Sequence, residues 1–359
     1  WNGGPVEIEL RLPDHVARGS VRFQIDFEDE GTRTGTRRVS SLPTRRKELV
    51  GGNAYIAKGL RLPGKLPYGY HELRVEISGA TERSTLLSAP LEAYSPPDHR
   101  RGTWGLFVPL YALHSERSWG AGDFTDLSAL VDWTADLGGE VVSTLPFLAA
   151  FLDEPFDPSP YSPASRLFWN EMFVDPTQAP EWETSVKARL LFESGAFQKK
   201  LRALRSSSKV EYRRLYAQKR MILEPLAEVT YQGNGIRRDE LERFVASHPL
   251  LRDYAHFRAA VERRRAPWTK WPSRARDGAL ESRDYRKKDV QYHLYAQWLA
   301  HNQVHRLSEK ARRAGTGLYL DLPLGTHPFG FDVWRERSLF ARDVTVGAPP
   351  DPVFTSGQD

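Results

Sequence analysis

The sequence predicts an α/β chain preceded by an all-β domain. Three observations point there. Apolar and polar residues alternate through residues 1–93, a strand–loop–helix–strand pattern runs from Trp104 to Leu145, and a long helical stretch precedes another apolar strand at Leu318–Leu322.

The first domain rests on a period of two. Val6, Ile8, Leu10 and Leu12 alternate with polar residues, as do Val21, Phe23, Ile25 and Phe27, then Leu73, Val75 and Ile77. Turn residues at Pro13-Asp14, Gly51-Gly52-Asn53 and Pro63-Gly64 separate the runs, so a small sandwich of half-buried strands is expected over 1–93. Ser95-Pro96-Pro97-Asp98-His99-Arg100-Arg101 reads as a linker, set at 94–103, because adjacent prolines favour extended backbone and stop a sheet.

Trp104–Leu110 is a continuous apolar run, the pattern of a parallel strand buried on both faces. A Gly-rich loop follows, with Asp123 placed to cap a helix and Asp126 in its first turn. Phe124, Leu127, Leu130, Val131, Thr134 and Leu137 share one helical face, Gly138-Gly139 ends it, and Val141–Leu145 is the next strand. This is a βαβ crossover, the unit from which α/β barrels are built. Residues 197–313 are mostly helical, with breaks near Gly233-Asn234-Gly235 and Pro267–Pro272. A helix from about Asp284 to Ala314 is apolar on several sides (Tyr292, Leu294, Tyr295, Trp298, Leu299) and is expected to be buried. Gly315-Thr316-Gly317 caps it before the third core strand, which ends in Asp321. The expected division is a first barrel segment at 104–196, a helical insertion at 197–290, and a continuation at 291–359.

Composition narrows the function. The absence of cysteine excludes disulfides, thiolate nucleophiles and cysteine-ligated zinc in this chain, and fits a cytoplasmic setting. No apolar run reaches the ~18 residues of a membrane span. Trp1-Asn2-Gly3-Gly4 has no signal-peptide pattern, and an opening Trp is expected of a trimmed chain. The net charge of +5 collects between Lys199 and Lys288, where Glu and Asp are interspersed at the spacing of solvated helix faces. No nucleic-acid motif accompanies it, so a nucleic-acid partner is not expected. Two further patterns are incomplete. His301 and His305 have the i, i+4 spacing of a zinc helix, but Asn302 stands where the general-base Glu belongs. Gly120-Ala121-Gly122 before a helix completes no phosphate-loop motif. No metal or cofactor is expected.

Several ordered motifs resemble the amylomaltases, the 4-α-glucanotransferases of glycoside hydrolase family 77. Trp104-Gly105-Leu106-Phe107-Val108-Pro109-Leu110 resembles the family's first strand, and Ser118-Trp119-Gly120-Ala121-Gly122-Asp123-Phe124 the loop after it. Ser159-Pro160-Tyr161-Ser162 resembles the loop after the second strand, and Asn170 with Met172-Phe173-Val174-Asp175 the segment behind it. Gln297-Trp298 with Gln303 fits a glutamine-bearing helix. Leu320-Asp321-Leu322-Pro323-Leu324-Gly325, His327-Pro328 and Gly330-Phe331-Asp332-Val333-Trp334 resemble the third-strand motif of the longer members. Val346–Asp351 and Thr355–Asp359 resemble the lid loop. Departures occur at Pro158 and Ser162, and at Asp351-Pro352-Val353-Phe354 within the lid. Residues 176–290 match only in helical character.

The resemblance implies a partial TIM (β/α) barrel behind an N-terminal β-sandwich, and a retaining transfer within α-1,4-glucan acting on maltodextrins in the cytoplasm. In such a transfer an Asp nucleophile forms a glycosyl-enzyme and a Glu gives, then takes, a proton. Catalytic residues among these positions: none; the two acids are expected beyond Asp359, making this portion inactive alone. Tyr161, after Ser159, is expected to meet a glucose by stacking or by its hydroxyl. Asp321, a charge at the end of a buried strand, is assigned to hydroxyl binding and positioning. His327, Gln358 and Trp119 complete the substrate-binding set, with a loop-bracing role as the alternative for His327 and Gln358 and the pinning of its own loop as the alternative for Trp119. Asp153, Glu154 and Asp157 stand near Tyr161 in sequence, but nothing brings them onto one glycosidic oxygen. The competing class is a non-catalytic α-glucan-binding protein.

Overall fold

The computed structural model describes residues 1–94, 102–342, 344 and 347–357, excluding the side chains of 17 and 18. It divides into two compact units, Trp1–Arg101 and Gly102–Asp359.

The first unit is a sandwich of antiparallel strands: β1 (Glu7–Pro13), β2 (Ser20–Asp26), β3 (Thr32–Arg38), β4 (Thr44–Val50), β5 (Asn53–Arg61), β6 (Gly69–Ile77) and β7 (Ala80–Ser88). One sheet has the order β1-β5-β4 and the other β3-β2-β6-β7. The alternation dictates the core. Leu10, Leu12, Val21, Phe23, Ile25, Leu60 and Leu73 point between the sheets and are buried. Gly35 lies opposite Phe23 in register, and a Cβ there would sit 2.3 Å from the phenyl ring. Phe23 therefore fills the space the glycine leaves. The edge strands β3 and β4 carry Arg33, Arg37, Arg38, Arg45, Arg46 and Lys47, charges that discourage edge-to-edge pairing.

The second unit holds a parallel sheet. Strand β8 (Gly105–Phe107) leads through α1 (Phe124–Asp136) to β9 (Val141–Thr144), which is followed by a short hairpin, β10 (Phe151–Leu152) with β11 (Phe156–Asp157). A helical layer comes next: α2 (Val186–Glu193), α3 (Gly195–Arg205), α4 (Tyr212–Gln232), α5 (Ile236–Ser247), α6 (Pro249–Arg264), α7 (Ser273–Arg276) and α8 (Lys287–Ala314). The chain then forms β12 (Gly317–Leu320) and α9 (Phe331–Arg335). The sheet order β12-β9-β8, all parallel, is that of three consecutive strands of a (β/α) barrel.

Local chemistry sets the joints. Asp123 caps α1, accepting from Thr125 and Asp126 N–H, while the Asp126 carboxylate accepts from Asp123 N–H. Gly315 ends α8 in the left-handed region at φ 72°. Helix α8 is the axis of the unit, with Tyr292, Tyr295, Trp298 and Leu299 buried against α1, α4, α5 and α6.

One strand expectation is corrected. Trp104–Leu110 was expected to be buried on both faces, yet β8 covers only Gly105–Phe107 before Pro109 leads into a turn. Phe107, Ser143 and Tyr319 stand side by side in register, and Phe107 and Tyr319 are 59% and 66% exposed. Leu106, Val142 and Leu318 form the opposite, better covered layer. Among the described residues nothing covers the Phe107–Tyr319 face, whereas a parallel strand is buried only when layers lie on both sides.

Candidate functional site

The carboxyl ends of β9 and β12 place the site. Asp321 N–H donates to Thr144 O at 3.4 Å, extending the parallel ladder one residue past β12. The Asp321 side chain emerges there half-buried, with no cation within 4 Å among the described residues. Its partner is a phenol: Tyr161 Oη donates to Asp321 Oδ2 at 2.8 Å. Accepting that hydrogen bond, the Asp321 carboxylate raises the Tyr161 phenol above its ordinary value of 10.0. The Tyr161 ring is 51% exposed, so a face stays open to solvent.

The loop holding Tyr161 is built by side-chain-to-backbone bonds. Asp157 Oδ1 accepts from Ser159 N–H at 3.0 Å, and Ser159 Oγ accepts from Tyr161 N–H at 3.3 Å. The second Asp157 oxygen lies 3.7 Å from His327 Nε2. His327 Nδ1 accepts from Phe329 N–H at 3.0 Å, which leaves the ring's proton on Nε2, toward Asp157. Burial pushes the imidazole below its ordinary value, against the pull of Asp157. Phe151 packs edge-on to the ring. Ser159, Tyr161, Asp321 and His327 thus form one contact chain with Asp157 as the link.

The two segments are laced together beneath the site. Thr326 Oγ1 and His327 N–H both donate to Pro163 O. Asp332 accepts from Ser165 Oγ at 2.5 Å and Arg166 N–H at 2.8 Å. The helix motif glutamines act one layer below as backbone clamps. Gln297 bonds both backbone groups of Trp169 at 2.9 and 2.7 Å, and Gln303 does the same for Asp175 at 2.9 and 2.8 Å. They hold peptides rather than a ligand.

Trp119 does not join this cluster, and its sugar-contact expectation is corrected. It is 2% exposed, stacked on Phe192 at 5.5 Å, edge-on to Phe197, with Lys219 Nζ 4.8 Å from its ring centre. A ring so enclosed has no face for a sugar. Gln358 lies outside the described residues. Of the lid-like segment, Asp351 Oδ1 accepts from Val353 and Phe354 N–H at 2.7 and 2.6 Å, so the exposed Val353 and Phe354 ride on a tight turn.

The acidic residues before Tyr161 diverge. Asp153 faces Arg265 at 4.0 Å, Glu154 faces Arg213 at 3.2 Å, and Asp157 faces His327. They do not converge on one point, as an acid–nucleophile pair must. Among the described residues no group of three or more His, Cys, Asp and Glu could hold a metal. No helix described is long and apolar enough to cross a membrane.

Sequence reasoning missed a buried charge centre at the start of α1. Lys219 is 1% exposed, donating to Val174 O at 2.7 Å and lying 3.3 Å from Asp123 Oδ2. Arg117 bridges Asp123 and Asp175, the latter at 3.1 Å. Burial raises the Asp123 carboxyl above its ordinary value, with Lys219 opposing. The clue was the capping Asp123, which needs a counter-charge if its helix start is buried.

With this geometry in place, comparisons place the chain among known proteins. A family profile described as 4-alpha-glucanotransferase, glycoside hydrolase family 77, matches residues 108–359, and one described as the MalQ N-terminal beta sandwich domain matches residues 1–90. The 4-alpha-glucanotransferase of Haemophilus influenzae is 30% identical over 84% of this chain and 46% of its own length. That of Mycobacterium tuberculosis is 29% identical over 100% of this chain and 49% of its own. The amylomaltase structure from Corynebacterium glutamicum superposes with a TM-score of 0.75 at 24% identity, covering 100% of this chain and 49% of that one, a likeness of fold. The chain spans about half the length of these curated relatives.

Proposed function

The chain belongs to glycoside hydrolase family 77, the 4-alpha-glucanotransferases, and from that membership we propose that it serves an enzyme moving α-1,4-glucan segments between maltodextrins in the cytoplasm. The observation that carries the reading is the Tyr161–Asp321 pair, with Asp321 one residue past the carboxyl end of β12 and Tyr161 on the connection that follows its parallel neighbour β9, the side on which α/β barrels build their sites.

In a retaining transfer the sugar is held by a covalent bond to a carboxylate, and a second glucan hydroxyl must then attack in place of water. None of the residues described in this chain is assigned the nucleophile or acid–base role. Their part is binding. Asp321, with one carboxylate oxygen taken by Tyr161, has lone pairs left for sugar hydroxyls. Tyr161 offers an open ring face for the apolar side of a glucose, and its phenol, raised by Asp321, stays a protonated donor at neutral pH. His327 and Ser159 hold this pair in place through Asp157, the buried His327 turning its Nε2–H toward that carboxylate. The turn at Asp351 carries Val353 and Phe354 as the apolar part of a lid that would shed water from the acceptor site.

Maltotriose incubated with the full-length protein tests the reading. Glucose and longer maltodextrins should appear together, and Asp321→Asn should depress that transfer. Glucose with no longer products would mean hydrolysis and would contradict the proposal.

A further inference from the structure

A cavity of about 420 Å³ lies in the second unit, away from the Tyr161 pair in sequence, lined by Trp268, Thr269, Arg276, Asp277, Arg337 and Arg342. Its charge is unusual. Three guanidinium groups face one carboxylate, and that carboxylate meets Arg276 Nε only at 3.4 Å, with both side chains about half exposed. Among the described residues Arg337 and Arg342 have no carboxylate within 4 Å. Like charges gathered in a concave wall repel one another and concentrate a positive potential in the space between them.

The wall is held in shape by neutral partners. Arg337 Nη1 donates to Arg276 O at 2.9 Å and to Trp334 O, which fixes the guanidinium plane without spending its charge. Its Nη2 lies 4.0 Å from the point where a Cβ on Gly278 would stand, and Gly278 takes φ +103°, a left-handed value that suits glycine. Trp334 Nε1 donates to Ala275 O at 3.0 Å, tying α9 to α7. Trp268 Nε1 donates to Pro328 O at 3.3 Å, so one wall adjoins the segment that carries His327. A planar fork held open in this way matches the paired oxygens of a phosphate. The volume falls within the ~300–1,000 Å³ of small-molecule sites and exceeds what an inorganic ion needs.

We propose that this cavity binds a phosphomonoester, with Arg276, Arg337 and Arg342 gripping the phosphate and a sugar-sized group filling the remaining space. The test is calorimetric titration of the chain at low ionic strength with glucose 6-phosphate, inorganic phosphate and neutral glucose. Saturable 1:1 binding is expected for glucose 6-phosphate, weaker binding for phosphate, and none for glucose at this cavity. Arg342→Gln and Arg276→Gln, whose side chains hold no backbone carbonyl among the described residues, should each weaken glucose 6-phosphate about tenfold, the loss of one charge-assisted contact. Their thermal unfolding without ligand should match the parent. Saturable binding that neither substitution changes, or no saturable binding at millimolar glucose 6-phosphate, would overturn the site. Phosphate binding as tightly as glucose 6-phosphate would overturn the sugar-bearing assignment.

Discussion

Replacing Lys219 by Met tests how the loop after the first parallel strand is held. The change keeps the length of the side chain and removes its charge. In the parent, Lys219 is 1% exposed, donates to Val174 O at 2.7 Å, and faces Asp123 Oδ2 at 3.3 Å. The variant leaves a buried carbonyl unpaired and takes one of two cations from Asp123. Removing one partner of a buried ion pair costs about 3–5 kcal/mol. Arg117 still reaches Asp123, so the lower end, about 3 kcal/mol, is expected. For a unit of this size each kcal/mol shifts Tm by about 2–4 °C, giving a fall of roughly 6–12 °C. The effect has a pH signature. Asp123 titrates above its ordinary 3.8 because burial disfavours its charge, and losing Lys219 raises it further. A raised acid binds its proton more tightly folded than unfolded, so stability falls as pH rises from 3.8 through the folded value. The deficit of Lys219→Met should therefore be largest at neutral pH and shrink as pH falls toward 4. Calorimetric unfolding across that range is the assay, with the Trp1–Arg101 sandwich as an internal reference. A deficit under about 1 kcal/mol, or one independent of pH, would refute the role given to this charge centre.

Three other outcomes are expected. Gly105→Ala places a Cβ 2.1 Å from Val141 O across the parallel ladder, where only backbone can move, and should destabilise the second unit by about 2–4 kcal/mol in urea unfolding. Asp284 is held down to about 2, although burial alone would raise it, by bonds from Glu281 N–H, Arg274 and Arg264. That stabilisation is complete above 3.8 and is lost as pH falls through about 2, so the gap between parent and Asp284→Asn should narrow over that window. Asp332→Ala frees Ser165 Oγ and Arg166 N–H at once, and should weaken maltotriose binding several-fold without a ligand contact of its own, measured by titration calorimetry.

What the sequence disclosed was mostly local. Asp123 with Asp126, and Gly315 after Ala314, announce helix ends because a cap acts within a few residues. The alternation of Val21, Phe23 and Ile25 announces a half-buried strand for the same reason. The Tyr161–Asp321 bond joins residues 160 apart, and no period or charge pattern links them; motif resemblance brought Tyr161 forward, and a charge ending an apolar strand also pointed to Asp321. Gln297 and Gln303 were noticed as motif letters, yet their partners are backbone groups 128 residues away and carry no side-chain signal. Lys219 and Arg258, each under 5% exposed, were hidden in a stretch whose charge pattern reads as solvated helix faces. A buried cation and a surface one look alike until the helix packs. Trp119 misled for a related reason, since an aromatic suited to a sugar is equally suited to a core.

Maltotriose titration of the parent and of Tyr161→Phe tests the central claim most directly. The phenol hydroxyl is its only loss, and the ring is 51% exposed, so unfolding free energy should stay within about 0.5 kcal/mol. The account predicts saturable maltotriose binding by the parent and roughly five- to tenfold weaker binding by the variant. Equal affinities, or a parent that binds no maltotriose, would contradict a glucan cradle built on Tyr161 and Asp321.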